Sequence, residues 1–188
     1  LTFTVIGATL YEDAIKFAPP AVALTSRGTI VDNGEPCSFS SNGKLGDQVA
    51  IVGGGELKIF DTSTNTLSAA IVLPFSDPVM VAFIDAYFLI NQRNTPTFWF
   101  SALEDGTTWD ALDFIARSGT SDNIVGIATA QERVWVWGLE TTNQFYNSGD
   151  ADTPFLPYQG TTTHIGAVSP WAIAQRNNVF TWVAHGVE

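Results

Sequence analysis

The 188-residue chain is short of cations, thiols and long apolar runs, and each shortage narrows what it does. Lysine and arginine together number eight against 19 aspartates and glutamates, for a formal net charge of −11. So few cations do not suit a site that grips phosphates, because nucleic-acid affinity rests largely on lysine and arginine. The balance suits a wall past which DNA slides without sticking, or it serves solubility alone. The single cysteine, Cys37, excludes an internal disulfide and a multi-cysteine zinc site. Pro36 precedes it, Ser38-Phe39-Ser40 follow, and no histidine is near, so it reads as a small, partly buried core residue. The two histidines, His164 and His185, lack His-x-x-x-His spacing, and no serine sits in a Gly-x-Ser-x-Gly elbow. Pro74 and Asp85 interrupt the longest apolar stretches, so no segment reaches membrane-spanning length, and no cationic leader precedes an apolar segment.

What is present is apolar, aromatic and periodic. The chain is 45% hydrophobic, with six Trp and 13 Phe, enough to bury a substantial core of half-buried pleated surfaces. Residues 80–114 recur 46 positions later: Phe88 maps to Val134, Ile90 to Val136, Trp99 to Phe145, Phe100 to Tyr146, Ser101 to Asn147 and Trp109 to Phe155. About 44 residues on, Ala128-Thr129-Ala130-Gln131 returns as Ala172-Ile173-Ala174-Gln175, and Val134-Trp135-Val136-Trp137 as Val179-Phe180-Thr181-Trp182. A β-rich repeat of this length indicates the blades of a β-propeller. The fold class is therefore all-β, a propeller-like array of antiparallel blades. Residues 79–84 and 124–129 are first strands near the axis, 87–91 and 134–138 second strands, and 98–101 and 144–147 third strands. Trp109 and Phe155 begin the outer edge. Alternation that is apolar at every position, as in Val134-Trp135-Val136-Trp137, fits strands sandwiched between neighbouring blades. An isolated blade cannot bury both faces, so neighbours are required.

Residues 1–20 form a segment of undetermined kind: 1–6 suits a strand, and 11–17 suits a short helical turn stopped by Pro19-Pro20. Residues 21–188 then read as one domain of about three to four blades, the last truncated. Asn33-Gly34 and Asn42-Gly43 indicate tight hairpin turns. The start at Leu1 and the stop soon after the strand 179–183 lead to the expectation of an incomplete propeller, a piece of something longer.

The motifs that invite chemistry read as turns. Gly53-Gly54-Gly55 lacks Walker spacing and lies between two strands, so it is a hairpin turn. Asp61-Thr62-Ser63-Thr64-Asn65 lacks the sixth-position Gly and twelfth-position Glu of a calcium loop, and Asp150-Ala151-Asp152 lacks a full ligand set. The densest polar cluster runs from Glu104 to Asp113 and invites a glycosidase reading with paired carboxylates. Residues 102–109 also resemble the Asp box of sialidase-type propellers. Gly106, Thr108 and Trp109 match, while Ala102 and Glu104 replace Ser and Asp, and such a box is itself a structural turn. A sialidase needs an arginine cluster, and the five arginines stand scattered at 27, 93, 117, 133 and 176. No enzyme, cofactor or metal site is expected. The loop 102–114, with Glu104, Asp105, Trp109, Asp110 and Asp113, is the candidate contact for a subunit or partner, unless Trp109 merely closes the blade's outer edge.

From Phe100 to about Ala184 the chain resembles a known family. The residues are Ser101-Ala102-Leu103-Glu104-Asp105-Gly106-Thr107-Thr108-Trp109-Asp110-Ala111-Leu112-Asp113-Phe114, Ser121-Asp122-Asn123, Val134-Trp135-Val136-Trp137-Gly138, Thr141-Thr142, Phe145-Tyr146-Asn147-Ser148-Gly149-Asp150-Ala151 and Pro154-Phe155. They are similar to the packaged-DNA stabilisation proteins of short-tailed bacteriophages, also described as tail accessory factors or head-closure proteins. The resemblance implies a non-enzymatic virion protein of the phage tail, assembled in the host bacterial cytoplasm. It implies propeller subunits that self-associate as a ring below the portal and adaptor, help close the DNA channel after packaging, and support the tail needle. DNA would be met at most indirectly, through channel closure, and no membrane is involved. The open alternatives are a carbohydrate-active, sialidase-like propeller and a generic protein-binding propeller.

Overall fold

A computed structural model describes residues 2–13, 24–119 and 122–184. The chain folds into five antiparallel sheets laid side by side. The first holds β1 (Thr2–Ile6), β2 (Thr9–Asp13) and β3 (Leu24–Thr29). The second holds β4 (Ser38–Ser41), β5 (Gln48–Gly53), β6 (Glu56–Asp61) and β7 (Thr66–Leu67). The third holds β8 (Pro78–Ile84), β9 (Tyr87–Gln92), β10 (Thr97–Phe100) and β11 (Phe114–Ala116). The fourth holds β12 (Ile124–Ala130), β13 (Arg133–Gly138), β14 (Thr142–Asn147) and β15 (Phe155–Pro157), and the fifth β16 (Ile173–Arg176) and β17 (Val179–Trp182). Residues 11–13, expected to begin a helical turn, instead complete β2. Tyr11 and Asp13 pair with Thr4 and Thr2 of β1 and with Ser26 and Leu24 of β3, while 14–17 lie outside the described residues.

The second strand of each four-stranded sheet explains why the sheets stack. In β5, Val49 and Ile51 join the cluster shared with the first sheet, while Ala50 and Val52 join the one shared with the third. In β9, Phe88 and Ile90 face the second sheet and Leu89 the fourth. In β13, Val134 and Val136 face the third sheet, while Trp135 and Trp137 face Phe180 and Trp182 of the fifth. A strand with period-two side chains has apolar groups on both faces only where both faces are covered. Among the described residues the sheets form an open row: each cluster joins consecutive sheets, and none joins the first to the fifth.

The turns keep time with the repeat. Asp85-Ala86, Gln131-Glu132 and Asn177-Asn178 each link a first strand to a second, all with positive φ, and each lies 46 residues after the one before. Positive φ at both central residues matches the right-handed twist of the flanking strands. Gly54-Gly55, with φ of 59° and 79°, makes the same kind of turn between β5 and β6, as the sequence indicates. Asn33-Gly34 is a turn but not a hairpin: β3 and β4 belong to different sheets, and residues 30–37 carry the chain from an outer strand to an inner one. The β4–β5 link is a hairpin with a longer loop than expected. Buried Asn42 organises it, donating from Nδ2 to the Gly46 and Glu104 carbonyls and accepting from the Gln48 amide.

The 46-residue register holds for the first two strands of the third and fourth sheets and fails at the third. Val81 pairs with Ile90 as Ile127 pairs with Val136, but Ile90 pairs with Trp99 whereas Val136 pairs with Asn143. The β13–β14 hairpin is shorter by two residues, so Phe145 is not the structural counterpart of Trp99. Nor is Phe155 that of Trp109: Phe155 lies in β15, and Trp109 in the loop before β11.

A buried ion pair ties the third sheet to the fourth. The Arg117 guanidinium, leaving β11, lies 3.6 Å from Asp122 Oδ1 and donates to Asn143 Oδ1 and Thr141 Oγ1. Asp122 accepts from the Glu140 and Thr141 amides, 3.0 Å each, and from Thr141 Oγ1. A Cβ on Gly138 would meet Asp122 Oδ2 at 1.9 Å, so a side chain there would displace the pair. Removing one partner of such a pair leaves an uncompensated buried charge. Asp122→Ala is expected to destabilise the fold by about 3–5 kcal/mol in urea unfolding. Leu89→Ala and Ile90→Ala, on opposite faces of β9, are each expected to cost about 2–5 kcal/mol in the same measurement. A sheet with one wet face would show that cost for only one of them.

Candidate contact face and the loop 102–114

Antiparallel strands put the first–second and, where present, third–fourth connections of the second to fifth sheets at one end of the row. That end collects Asp47, Asp61, Asp85, Glu104, Asp105, Asp110, Asp113, Glu132, Asp150 and Asp152, against Lys44, Arg133 and Arg176. Hydrogen bonds lock neighbouring sheets together here. Asn42 Nδ2 of the second sheet donates to the Glu104 carbonyl at 3.1 Å, and Gln131 Nε2 donates to the Asn178 carbonyl at 3.4 Å.

The loop 102–114 joins β10 to β11 and is the largest element of this end. Its five expected contact residues divide into two kinds. Asp105 and Trp109 are structural. Asp105 accepts from the Thr107 amide and hydroxyl, from Thr108 Oγ1 and from Gln48 Nε2, while the Gly106 amide donates to Gln48 Oε1. Partial burial pushes the Asp105 carboxyl up, but these bonds outweigh it and hold the group below its ordinary value. Trp109 is half-buried, packs against the core between the second and third sheets and edge-on to Phe75, and donates from Nε1 to the Gly106 carbonyl at 2.8 Å. A Cβ on Gly106 would reach Ile59 Cδ1 at 2.8 Å, so the loop lies close against the second sheet and a side chain there would make Ile59 shift. Glu104, at φ 58°, and Asp110 point to solvent. Asp113 is half-buried, and burial first, then the Asp110 and Asp152 carboxylates, push it up.

Three apolar side chains on the same loop, not singled out from the sequence, are open to solvent: Leu103, Leu112 at 82% and Phe114 at 42%. Their exposure follows from the folding back of Asp105 and Trp109, which no spacing signals. The other candidate centres are turns. Asp61 Oδ1 accepts from the Ser63 and Thr64 amides, and Asp150 Oδ1 from the Asp152 and Thr153 amides. Among the described residues no group of metal-capable side chains comes together, and no helix is long and apolar enough to cross a membrane. His164 is exposed, and His185 lies outside the described residues. Cys37 is half-buried beside Leu10 and Ile30, and burial, then Asp32, push its thiol up. The arginines do not converge: Arg27 pairs with Glu12, Arg93 with Glu35, Arg117 with Asp122, and Arg133 lies 3.9 Å from the Tyr158 ring centre.

The family model described as Bacteriophage P22 Gp10, beta-propeller, matches residues 2–188. The chain belongs to that family. It is a structural family of bacteriophages associated with stabilisation of packaged DNA. No curated protein matches. Among solved structures, a chain of a mitotic checkpoint complex matches with TM-score 0.59 at 12% identity, over 95% of this chain and 53% of its own. This chain thus spans about half the length of that one. The computationally designed Ika4 protein matches with TM-score 0.48 at 16% identity, over 78% of this chain and 83% of its own. The designed Ika8 protein matches with TM-score 0.48 at 12% identity, over 95% of this chain and 53% of its own. At these identities the likeness shows the fold alone. The β-propeller description agrees with the all-β architecture of this family member.

The depressed Asp105, Asp122, Asp61 and Asp150 carboxyls set the acid limb of stability. A carboxyl lowered by folding contributes stability that is present above the unfolded value near 3.8 and lost as pH falls through the lower folded value. Asp113, raised in the fold, runs the other way, its contribution being lost as pH rises through its folded value. The melting temperature is expected to drop steeply below the unfolded carboxylate range. Asp105→Asn is expected to flatten that drop, and Asp113→Asn to leave it in place while raising stability at neutral pH. Thermal scans by circular dichroism between pH 2 and 7 check both.

Proposed function

We propose that this chain is part of a structural phage tail protein that binds below the portal and adaptor ring, helps close the DNA channel after packaging and supports the tail needle. The observation that carries the reading is the family match across residues 2–188. In this reading the protein resides in the virion, is assembled in the host bacterial cytoplasm, and associates with its own copies as a ring.

The mechanism is steric and driven by avidity. A row of sheets locked by shared cores and a buried ion pair is a stiff body, so each subunit offers its contacts without ordering a loop first. A modest interface repeated around a ring sums weak contacts into a stable closure. The contact falls on the loop 102–114. Leu103, Leu112 and Phe114 supply exposed apolar area, Glu104, Asp110 and Asp113 surround it with charge, and Asp105 and Trp109 hold the loop in shape. Apolar centres ringed by polar groups are the usual anatomy of such interfaces. The carboxylate-rich end repels phosphates, which favours a plug that touches DNA at most indirectly.

The test adds the full-length protein to purified DNA-filled heads carrying portal and adaptor, and measures co-sedimentation and DNA leakage. Stoichiometric binding with suppressed leakage is expected. Combining Leu112→Asp with Asp110→Lys is expected to weaken binding roughly a hundredfold, about 2.7 kcal/mol, with an unchanged melting temperature. Absence of binding to portal or adaptor overturns the reading.

A further inference from the structure

Two asparagines of the chain precede a glycine, Asn33 and Asn42, and the fold treats them in opposite ways. In such a pair the glycine nitrogen is uncrowded, because no side chain stands beside it, and it can approach the asparagine side-chain amide carbon. Asn42 is held away from that encounter. It is buried, its Nδ2 donates to the Gly46 and Glu104 carbonyls at 3.1 Å each, and its Oδ1 accepts from the Gln48 amide at 2.9 Å. The Gly43 amide in turn donates to a neutral hydroxyl, Ser41 Oγ. Turning the Asn42 side chain toward Gly43 would break three bonds at a buried site.

Asn33 has the opposite setting, at the exposed apex of the crossing 30–37. Its Oδ1 accepts from the Glu35 amide at 3.0 Å, which curls the side chain over the intervening Gly34 peptide. The Gly34 amide donates to Asp32 Oδ1 at 2.9 Å, within reach for proton transfer. Gly34 has a φ of 81°, and a Cβ built on it would meet nothing within 4 Å, so a ring has room to form. The crossing keeps this shape because its ends are fixed. Ile30 is buried and donates its amide to the Ala8 carbonyl, and Ser38 begins β4.

We infer that Asn33 is a self-modification site, converted to aspartate and isoaspartate through attack of the Gly34 nitrogen on its side-chain amide carbon. The Gly34 nitrogen bonds to Cγ while its proton passes to the Asp32 carboxylate. The Cγ–Nδ2 bond then breaks, and Nδ2 leaves as ammonia with the proton that Asp32 holds. One water molecule opens the resulting succinimide. Water adding at Cγ leaves aspartate with the main chain intact, and water adding at the main-chain carbonyl leaves isoaspartate, with Gly34 joined through the side chain. Nothing is oxidised or reduced. The product turns a donor into a carboxylate: Asn33 Nδ2 donates to Glu35 Oε2 at 3.3 Å, and an oxygen in its place repels Glu35, the partner of Arg93 in the β9–β10 turn. That turn lies at the end of the row away from the loop 102–114, so the inference does not depend on the partner the protein meets.

The test ages the full-length protein at neutral pH and follows the peptides containing Asn33 and Asn42 by mass spectrometry, with chromatography that separates aspartate from isoaspartate. In the folded protein Asn33 is expected to convert at least about tenfold faster than Asn42, whose reaction waits on local opening, and to give both products. No conversion at Asn33, or equal rates at the two sites, overturns the inference. In urea the two rates are expected to come within about threefold of each other, because the fold no longer separates them. A folded-state ratio that persists in urea overturns the role of the fold. Asp32→Ala is expected to slow Asn33 by about threefold or more and to leave Asn42 and the melting temperature unchanged. An unchanged Asn33 rate in that variant overturns Asp32 as the proton acceptor.

Discussion

Two-sided burial of the second strands is the constraint on which the rest depends. Leu89 and Ile90 are adjacent in sequence and enter different cores, as do Val136 and Trp137. No single sheet satisfies such a strand, because the apolar side chains on one of its faces would meet water. Each sheet therefore stabilises the next, and stability is a property of the row. The aromatic residues serve the same end. Phe98 meets Phe145 at 5.2 Å across the third and fourth sheets, and Trp137 meets Phe180 at 4.9 Å across the fourth and fifth. These inter-sheet pairs add edge-on contacts to the area they bury.

Close stacking leaves little room for polar groups, and the exceptions show how the ends are fixed. Arg117 is buried among Thr141, Asn143 and Asp122, where burial pulls the guanidinium down and Asp122 opposes it. The charge is tolerated because its partner also caps the amides of the β13–β14 turn, so one carboxylate serves both a loop and an ion pair. At the opposite end Asn42 and Gln48 do comparable work with neutral groups, joining the β4–β5 loop to the backbone at Glu104 and Gly106. The loop 102–114 is thus held at its base from the second sheet and free at its apolar tip.

How far the sequence speaks for the fold follows from the range of the forces involved. The all-β class, the first and second strands and the positive-φ turns depend on residues a few positions apart, and Val134-Trp135-Val136-Trp137 states its two-sided burial directly. The third-strand register was out of reach, because a hairpin shorter by two residues leaves the apolar alignment of Trp99 with Phe145 intact while moving its partner. Asn33-Gly34 has the residues of a hairpin turn, and only the separate sheets on either side show that it is a crossing. Within the loop, Asp105 and Trp109 stand out by chemistry yet are consumed by local bonds. The open residues, Leu103 and Leu112, carry no chemical mark at all. Arg117 and Asp122 read as scattered charges because Thr141 and Asn143, which complete their cluster, stand some twenty residues away.

The acidic end imposes a constraint of its own. The end with the loop 102–114 carries carboxylates on nearly every turn, and the groove beside β1 mixes Phe3, Phe39 and Val49 with Lys44 and Asp47. A charged, rigid end discriminates among partners by repulsion and tolerates exposure, because hydration of the carboxylates opposes casual association. Leu103 and Leu112 stand open among these carboxylates, so the same end combines apolar area that favours contact with charge that selects what makes it.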